Sequence, residues 1–313
     1  MTGRRIALVG EGVVGGRIAR RLPLAAPDVT VLTVDPRRSL AAFERADLAI
    51  LACPSPHDRL AAELIARGIA VVSVGDDLDD VRALLDLEDQ ALHAGVTLVV
   101  GAGMSPGLSG LLARHLGDQL TTVDEIHVAI HGTAGPACAR QHHRALRGRA
   151  IGLHNAAWVT RSAGAGRELC WFPEPVGAYD CYAAEMAGPL LLQRSFADVS
   201  RLTARMSANR RDRLTARLPM LSPPHPEVGV GAVRVEVRGA RADGARSTLI
   251  TGVAELVGTI TAATASAVAV SVLEGAFEAG TVATSDAGID AVGLLTVIER
   301  LGVRLQEFTG VPT

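Results

Sequence analysis

"ALVGEGVVGGRIARRL", residues 7–22, is the stretch that decides how the chain folds. A short aliphatic run leads into it, and Val14, Ile18 and Leu22 then recur at helical spacing. Between the run and the helix stand Gly10, Gly12 and Gly15 in the G-x-G-x-x-G spacing. In a chain with 33 glycines that spacing alone is a weak signal. Placed after a strand and at the head of a helix, it has a mechanism. Gly10 allows the tight turn, Gly12 lets backbone approach a pyrophosphate, and Gly15 lets helix and strand pack closely. The first helical turn, with Val13 and Val14, presents its N–H groups to the phosphates. A methyltransferase also carries a glycine-rich turn after its first strand, but its cofactor has no pyrophosphate for this helix to hold.

Outward from this stretch, strand and helix patterns alternate. "RIALVG", "VTVLTVD", "LAILACP", "IAVVSVG" and "VTLVVG" read as fully buried strands, with helical segments between them. That alternation predicts an α/β Rossmann domain over residues 1–118, a doubly wound parallel sheet covered on both faces. Asp35 closes the second strand 20 residues after Gly15, where a carboxylate bonds the adenosine ribose and favours NAD. Arg37 and Arg38 follow; they suit the 2′-phosphate of NADP, or form a solvated surface pair.

After residue 118 the period changes. "DEIHVAIHG" puts Ile126, Val128 and Ile130 on one face and His127 and His131 on the other. "VSRLTARMS" and "GAVRVEVRG" alternate in the same way, and Asp243-Gly244 marks a hairpin. A second α+β domain with a mainly antiparallel sheet is therefore expected over residues 119–257, for substrate binding and dimerisation. "SANRRDRLTAR" (207–217) reads as an exposed charged helix and "LSPPHPEVGVG" (221–231) as a loop. Residues 258–313 are expected to return as helices packed on the Rossmann domain. Their first segment, "LVGTITAATASAVAVSVL" (256–273), has no charge, but its Ala, Thr and Ser content and flanking Glu255 and Glu274 argue for a buried helix, not a membrane span.

Composition excludes several functions. A net charge of −2 and nine aromatic residues in 313 offer nucleic acid neither an electrostatic footprint nor a stacking surface. All 31 basic residues are arginine, so no Schiff base, P-loop lysine or lysine general base is available. Cys53, Cys138, Cys170 and Cys181 lack C-x-x-C spacing, which points to reduced thiols, no metal site and a cytoplasmic setting. The opening apolar run is too short for the core of a secretion signal.

"AGVTLVVGAGMSPGLSGLLARHL" (94–116) resembles the loop-and-helix signature of the saccharopine dehydrogenase-like family, a G-x-x-P-G-L-S pattern after the last Rossmann strand. "LAILACPSP" is similar to that family's proline-containing turn beside the nicotinamide, and the C-terminal stretch from Glu274 is similar to its last helices. The resemblance implies that Cys53, Pro54, Gly103, Pro106 and Gly107 lie along the cofactor. It also implies hydride transfer between a nicotinamide and a carbon–nitrogen bond, the imine or secondary amine formed from an amino acid or amine and an aldehyde or 2-oxo acid. Homodimerisation through the second domain's sheet goes with it. Two departures bear on the substrate. "VVSVGDD" stands where many members carry an aromatic residue and then Asp, and the middle third matches no particular subfamily.

A carboxylate-bearing substrate calls for arginine and proton donors. "ACARQHHRALRGR" supplies Arg140, His142, His143 and Arg144 in one run, and a solvated helix face is the other reading. His131 is the candidate to move the amine proton; a purely structural histidine is the alternative. Trp171, Phe172, Tyr179 and Tyr182 cluster in "CWFPEPVGAYDCY", as a substrate-pocket wall, with Tyr182 in it, or as a subunit contact. A non-catalytic dinucleotide-binding sensor or partner subunit is the competing functional class.

Overall fold

The computed structural model describes residues 3–35, 43–221, 227 and 229–308. Arg37 and Arg38, and residues 222–226 and 228 of the 221–231 loop, lie outside them. Among the described residues the chain begins β1 (Arg5–Val9), α1 (Val13–Ala25), β2 (Thr30–Val34), β3 (Leu48–Leu51), α2 (Asp58–Ile65), β4 (Ala70–Ser73), α3 (Leu78–Leu85), α4 (Glu88–Ala94) and β5 (Thr97–Val100). It continues through α5 (Leu108–Gly117), β6 (Thr122–His131), α6 (Pro136–Ala145), β7 (Arg149–His154), β8 (Ala157–Ser162), β9 (Glu168–Trp171), β10 (Ala178–Ala183) and α7 (Gly188–Ser195). The remainder is β11 (Arg201–Ser207), α8 (Arg210–Thr215), β12 (Gly231–Ala240), β13 (Arg246–Glu255), α9 (Val257–Leu273), β14 (Gly280–Val282), α10 (Ala291–Arg300) and β15 (Leu305–Glu307).

Two compact units result. The first comprises Met1–Leu108, Gly258–Thr284 and Gly288–Gly302. Its sheet is parallel throughout, in the order β14-β5-β4-β3-β1-β2. Every residue of β3 and β5 is buried, as in a sheet covered on both faces, so these strands read as unbroken apolar runs. β2, expected from its apolar run to be fully buried, is instead an edge strand: Thr30, Leu32 and Thr33 are exposed and only Val34 is buried. Strand order reverses at β1, with β2 on one side and β3 on the other, which makes the crevice beyond their carboxyl ends the place for a ligand. α9 is buried along most of its length, and no described helix is long and apolar enough to cross a membrane. β14 was not visible as a strand in the sequence: three residues are too few for a period.

The second unit comprises Ser109–Val257, Ser285–Ala287 and Val303–Thr313. Its sheet runs β15-β13-β12-β6-β11-β10-β9, with the β7–β8 hairpin attached to β11. Only the β6–β11 pair is parallel among the described pairings of this sheet, so the sheet is mixed but mainly antiparallel. The β12–β13 hairpin turns at Asp243-Gly244, with Gly244 at a φ of 81° and its N–H on the Arg241 carbonyl. Ile126, Val128, Ile130, Leu202, Ala204, Met206, Val233, Val235 and Val237 form the buried face. Glu125, His127, His131, Thr203, Ser207 and Glu236 occupy the other, as strand alternation requires. The charged stretch after β11 forms α8, closed by a capping box of Asn209 and Asp212.

Candidate active site

In the first unit the glycine turn follows β1, and its three glycines have different reasons to be glycine. Gly10 has a φ of 118°, and a Cβ there would stand 2.5 Å from the Ala52 carbonyl oxygen. A Cβ on Gly15 would stand 1.8 Å from the Gly10 carbonyl oxygen, so α1 can lie this close to the strand only without a side chain. Gly12 is uncrowded: among the described residues no atom lies within 4 Å of where its Cβ would be. It is the N-cap of α1, and no side chain caps the helix. The first-turn N–H groups, Val13 and Val14 among them, therefore point out of an open helix end with no helical acceptor. A bare backbone turn, an uncapped helix and free space at the middle glycine fit a pyrophosphate.

The loop after β3 borders this turn. Ala52 donates its N–H to the Val9 carbonyl at 2.8 Å, and half-buried Cys53 and exposed Pro54 follow. Asp35 is exposed immediately past β2. The "GAGMSPG" loop after β5 is buried and closed on itself. Gly103 donates to the Pro106 carbonyl and Leu108 to the Gly103 carbonyl, both at 2.9 Å. Gly107, at a φ of 128°, would place a Cβ 2.1 Å from the Gly103 oxygen. Ala102 donates to the Ser73 carbonyl at 2.7 Å, and Thr284 Oγ1 to the Gly107 carbonyl at 2.7 Å. The close approach that demands glycine at 107 is thus, first of all, the loop's own backbone against itself, while a Cβ on Gly103 would stand 3.3 Å from both the Pro106 and the Val74 carbonyl oxygens.

In the second unit, His131 ends β6 and shares a hydrogen bond of 2.8 Å between its Nδ1 and Ser207 Oγ on β11. Its ring lies 4.1 Å from the Tyr179 ring, tilted by 39°, and 5.9 Å from Phe172. Beneath it Ala129, Cys170, Phe172, Cys181 and Ala232 form a small buried apolar cluster, with Val176 and Ala254 packed against it. Burial in these surroundings lowers the His131 pKa, so the imidazole is neutral at pH 7. Nε2 has no hydrogen-bond partner among the described residues. His142 on α6 is also held neutral, its pKa lowered to about 4 by burial first and by the nearby His131 second. His127 is engaged differently, between Thr203 Oγ1 at 2.8 Å and Glu125 Oε2 at 2.9 Å; bonding to His127 is the main cause of a lowered Glu125 pKa.

No family model matches the sequence, and no curated protein matches it. Solved structures do match. Apo saccharopine dehydrogenase (L-Glu forming) from Saccharomyces cerevisiae superposes with a TM-score of 0.67 at 14% identity, over 98% of this chain and 100% of that one. The fold is that of saccharopine dehydrogenase. A variant of meso-dapdh from Clostridium tetani, solved with DAP, aligns at a TM-score of 0.50 and 15% identity over 89% of this chain and 92% of that one. An amine dehydrogenase from Mycobacterium smegmatis aligns at 0.50 and 13% identity, over 89% and 94%.

Within this saccharopine dehydrogenase-like fold, the run on α6 does not act as one group. Arg140 and Arg144, four residues apart, share an exposed face, and Arg144 bonds the Gln141 side chain at 3.0 Å. His143 is buried and donates from Nε2 to the Leu218 carbonyl at 2.8 Å. His142 lies close enough to His131 for that ring to add to the lowering of its pKa by burial. The tyrosines separate as well. Tyr182 pairs with Met206 on the buried face, under the Arg213 guanidinium at 4.1 Å, whereas Tyr179 lies on the His131 face. Two residues three apart on a strand must take opposite faces. Ser207 had no sequence signal, because it meets His131 only through strand pairing.

Proposed function

We propose that the chain is an NAD(P)-dependent oxidoreductase acting on a carbon–nitrogen bond, the imine or secondary amine formed from an amino acid or amine and an aldehyde or 2-oxo acid. The observation that carries the dinucleotide is the contrast at the glycine turn: Gly10 and Gly15 are hemmed in by backbone, whereas among the described residues nothing crowds Gly12 at an uncapped helix end. Gly10, Gly12, Val13, Val14 and Gly15 would hold the pyrophosphate and Asp35 the ribose hydroxyls, which favours NAD over NADP. Cys53 and Pro54 would border the nicotinamide. When bound, that ring supplies or takes up the hydride.

His131 moves the proton. With Nδ1–H donated to Ser207 Oγ, the Nε2 lone pair is left to accept a proton from the amine nitrogen, and the imidazolium returns it in the opposite direction. Burial of the ring beside this apolar cluster lowers its pKa and favours the neutral imidazole. Arg140 and Arg144 are the arginines proposed for a substrate carboxylate. His142, neutral beside His131, lines the same neighbourhood without adding charge. A cytoplasmic homodimer goes with this reading by family resemblance.

The test is a paired titration of purified protein with NADH and NADPH by calorimetry, followed by an amine-plus-2-oxo-acid turnover screen with the tighter cofactor. Saturable binding of one cofactor with turnover of an amine and oxo-acid pair supports the reading. Absence of binding of either at millimolar concentration overturns it.

A further inference from the structure

β3 and β4 lie side by side, and a fully buried imidazole sits between the loops that leave them. The His57 side chain has no exposed surface and that of Asp80 has 1%. His57 Nε2 is 2.9 Å from the Cys53 carbonyl oxygen, its Nδ1 is 2.8 Å from Ser73 Oγ, and its backbone N–H donates to Asp80 Oδ1 at 2.7 Å. A carbonyl only accepts, so Nε2 carries a proton and donates it to the Cys53 oxygen, and Nδ1 shares its hydrogen bond with the Ser73 hydroxyl. Ser73 Oγ in turn accepts the Gly75 N–H at 3.1 Å. Asp80 Oδ2 is buried with no hydrogen-bond partner among the described residues, 3.8 Å from Nδ1. Gly75 leaves the room for this set: a Cβ there would stand 3.1 Å from Asp80 Oδ2, 3.2 Å from His57 Nδ1 and 3.2 Å from Ser55 Oγ.

Burying a histidine, a serine and an aspartate together costs desolvation that apolar packing of equal volume would avoid. What such a set supplies is fixed geometry. The geometry here is specific. One end of the chain of hydrogen bonds is the Cys53 carbonyl, in the turn assigned above to the nicotinamide, and the other is the end of β4. We propose that His57 is a positioning residue for the cofactor: it holds the Cys53-Pro54 turn at the height at which the nicotinamide half of a dinucleotide is received. This rests on the dinucleotide reading.

The experiment compares NADH with ADP-ribose, which keeps the pyrophosphate and adenosine but lacks the nicotinamide, by calorimetry on wild type, His57→Met, His57→Gln and Ser73→Ala. His57→Met keeps volume and removes the donor to Cys53; His57→Gln restores one. NADH affinity is expected to fall about tenfold in His57→Met, the scale of one buried hydrogen bond, with ADP-ribose unchanged. His57→Gln should recover most of the loss, and Ser73→Ala should weaken NADH alone by about threefold, the lower end of that scale. Equal loss of both ligands, or loss of neither, overturns the proposal, since a residue needed only for folding cannot tell the two apart. If His57→Met does not fold, Ser73→Ala decides by the same comparison. Wild type that binds neither ligand refutes the dinucleotide reading instead, which keeps the two failures distinct.

Discussion

The two candidate sites of this protein are made in opposite ways. The cradle in the first unit is backbone: a turn, a helix end and three glycines within six residues. The proposed proton-transfer cluster in the second is side chains: His131 and Ser207 come from strands whose paired residues are 76 apart in sequence. A backbone site tolerates no side chain where another backbone already stands. A side-chain site depends on register and on what lies beneath it. The first should fail abruptly when a methyl group is added, and the second by degrees as polar partners are removed.

The largest effect is expected within the cradle itself. Gly15→Val puts atoms where the Gly10 carbonyl stands, and should destabilise the fold by at least about 4 kcal/mol, read as loss of a cooperative urea transition at 25 °C. Gly12→Val, three residues away, meets open space, so its thermal midpoint should stay within about 2 °C of wild type, while NADH affinity falls by about a hundredfold or more. Equal stability losses in the two variants would erase the distinction between packing glycine and ligand glycine.

The second unit should respond more gently. His131→Gln is expected to lower kcat by about 10²–10³ without changing cofactor affinity, as for loss of a positioned proton carrier. Ser207→Ala, which frees the ring but leaves it in place, should cost only about tenfold in kcat, and the double variant should be no worse than His131→Gln alone. The smallest effect is on acid stability. A histidine whose folded pKa is lowered stabilises the fold fully above its unfolded value of 6.5, and that contribution is lost as pH falls towards the folded value. For His142, lowered to about 4 by burial, wild type should lose about 2 kcal/mol more than His142→Gln between pH 7 and pH 4.5. Urea midpoints of the two proteins across that range would show it.

How far each region was legible follows from the same contrast. Strand–turn–helix is local, so the alternation of the first 118 residues and the glycine spacing could be read directly, and the strands lie where the apolar runs stand. The "GAGMSPG" stretch announced a need for glycine, but not that the need arises from Gly103 meeting Gly107. The alternation of β6 gave the faces of His127 and His131 without their partners, Thr203 and Ser207, which arrive by a parallel pairing across α6, four strands and α7. Tyr179 and Tyr182 looked like one aromatic group and belong to opposite faces. His57, Ser73 and Asp80 left no pattern at all: each is an ordinary loop, strand or helix residue until β3 and β4 stand together.

By itself, the amino-acid sequence determined the parallel α/β beginning, the turn that suits a pyrophosphate, the change to an alternating, mainly antiparallel second half and the absence of any lysine chemistry. These are matters of composition, period and backbone freedom, each expressed over a few consecutive residues. Only the tertiary structure decided that Ser207 and Tyr179 attend His131, that His143 is spent on the Leu218 carbonyl, and that His57 ties one loop to the next. Those are meetings of side chains from separate strands and helices, and strand order and register, set by burial of the whole sheet, are what bring them within hydrogen-bonding distance.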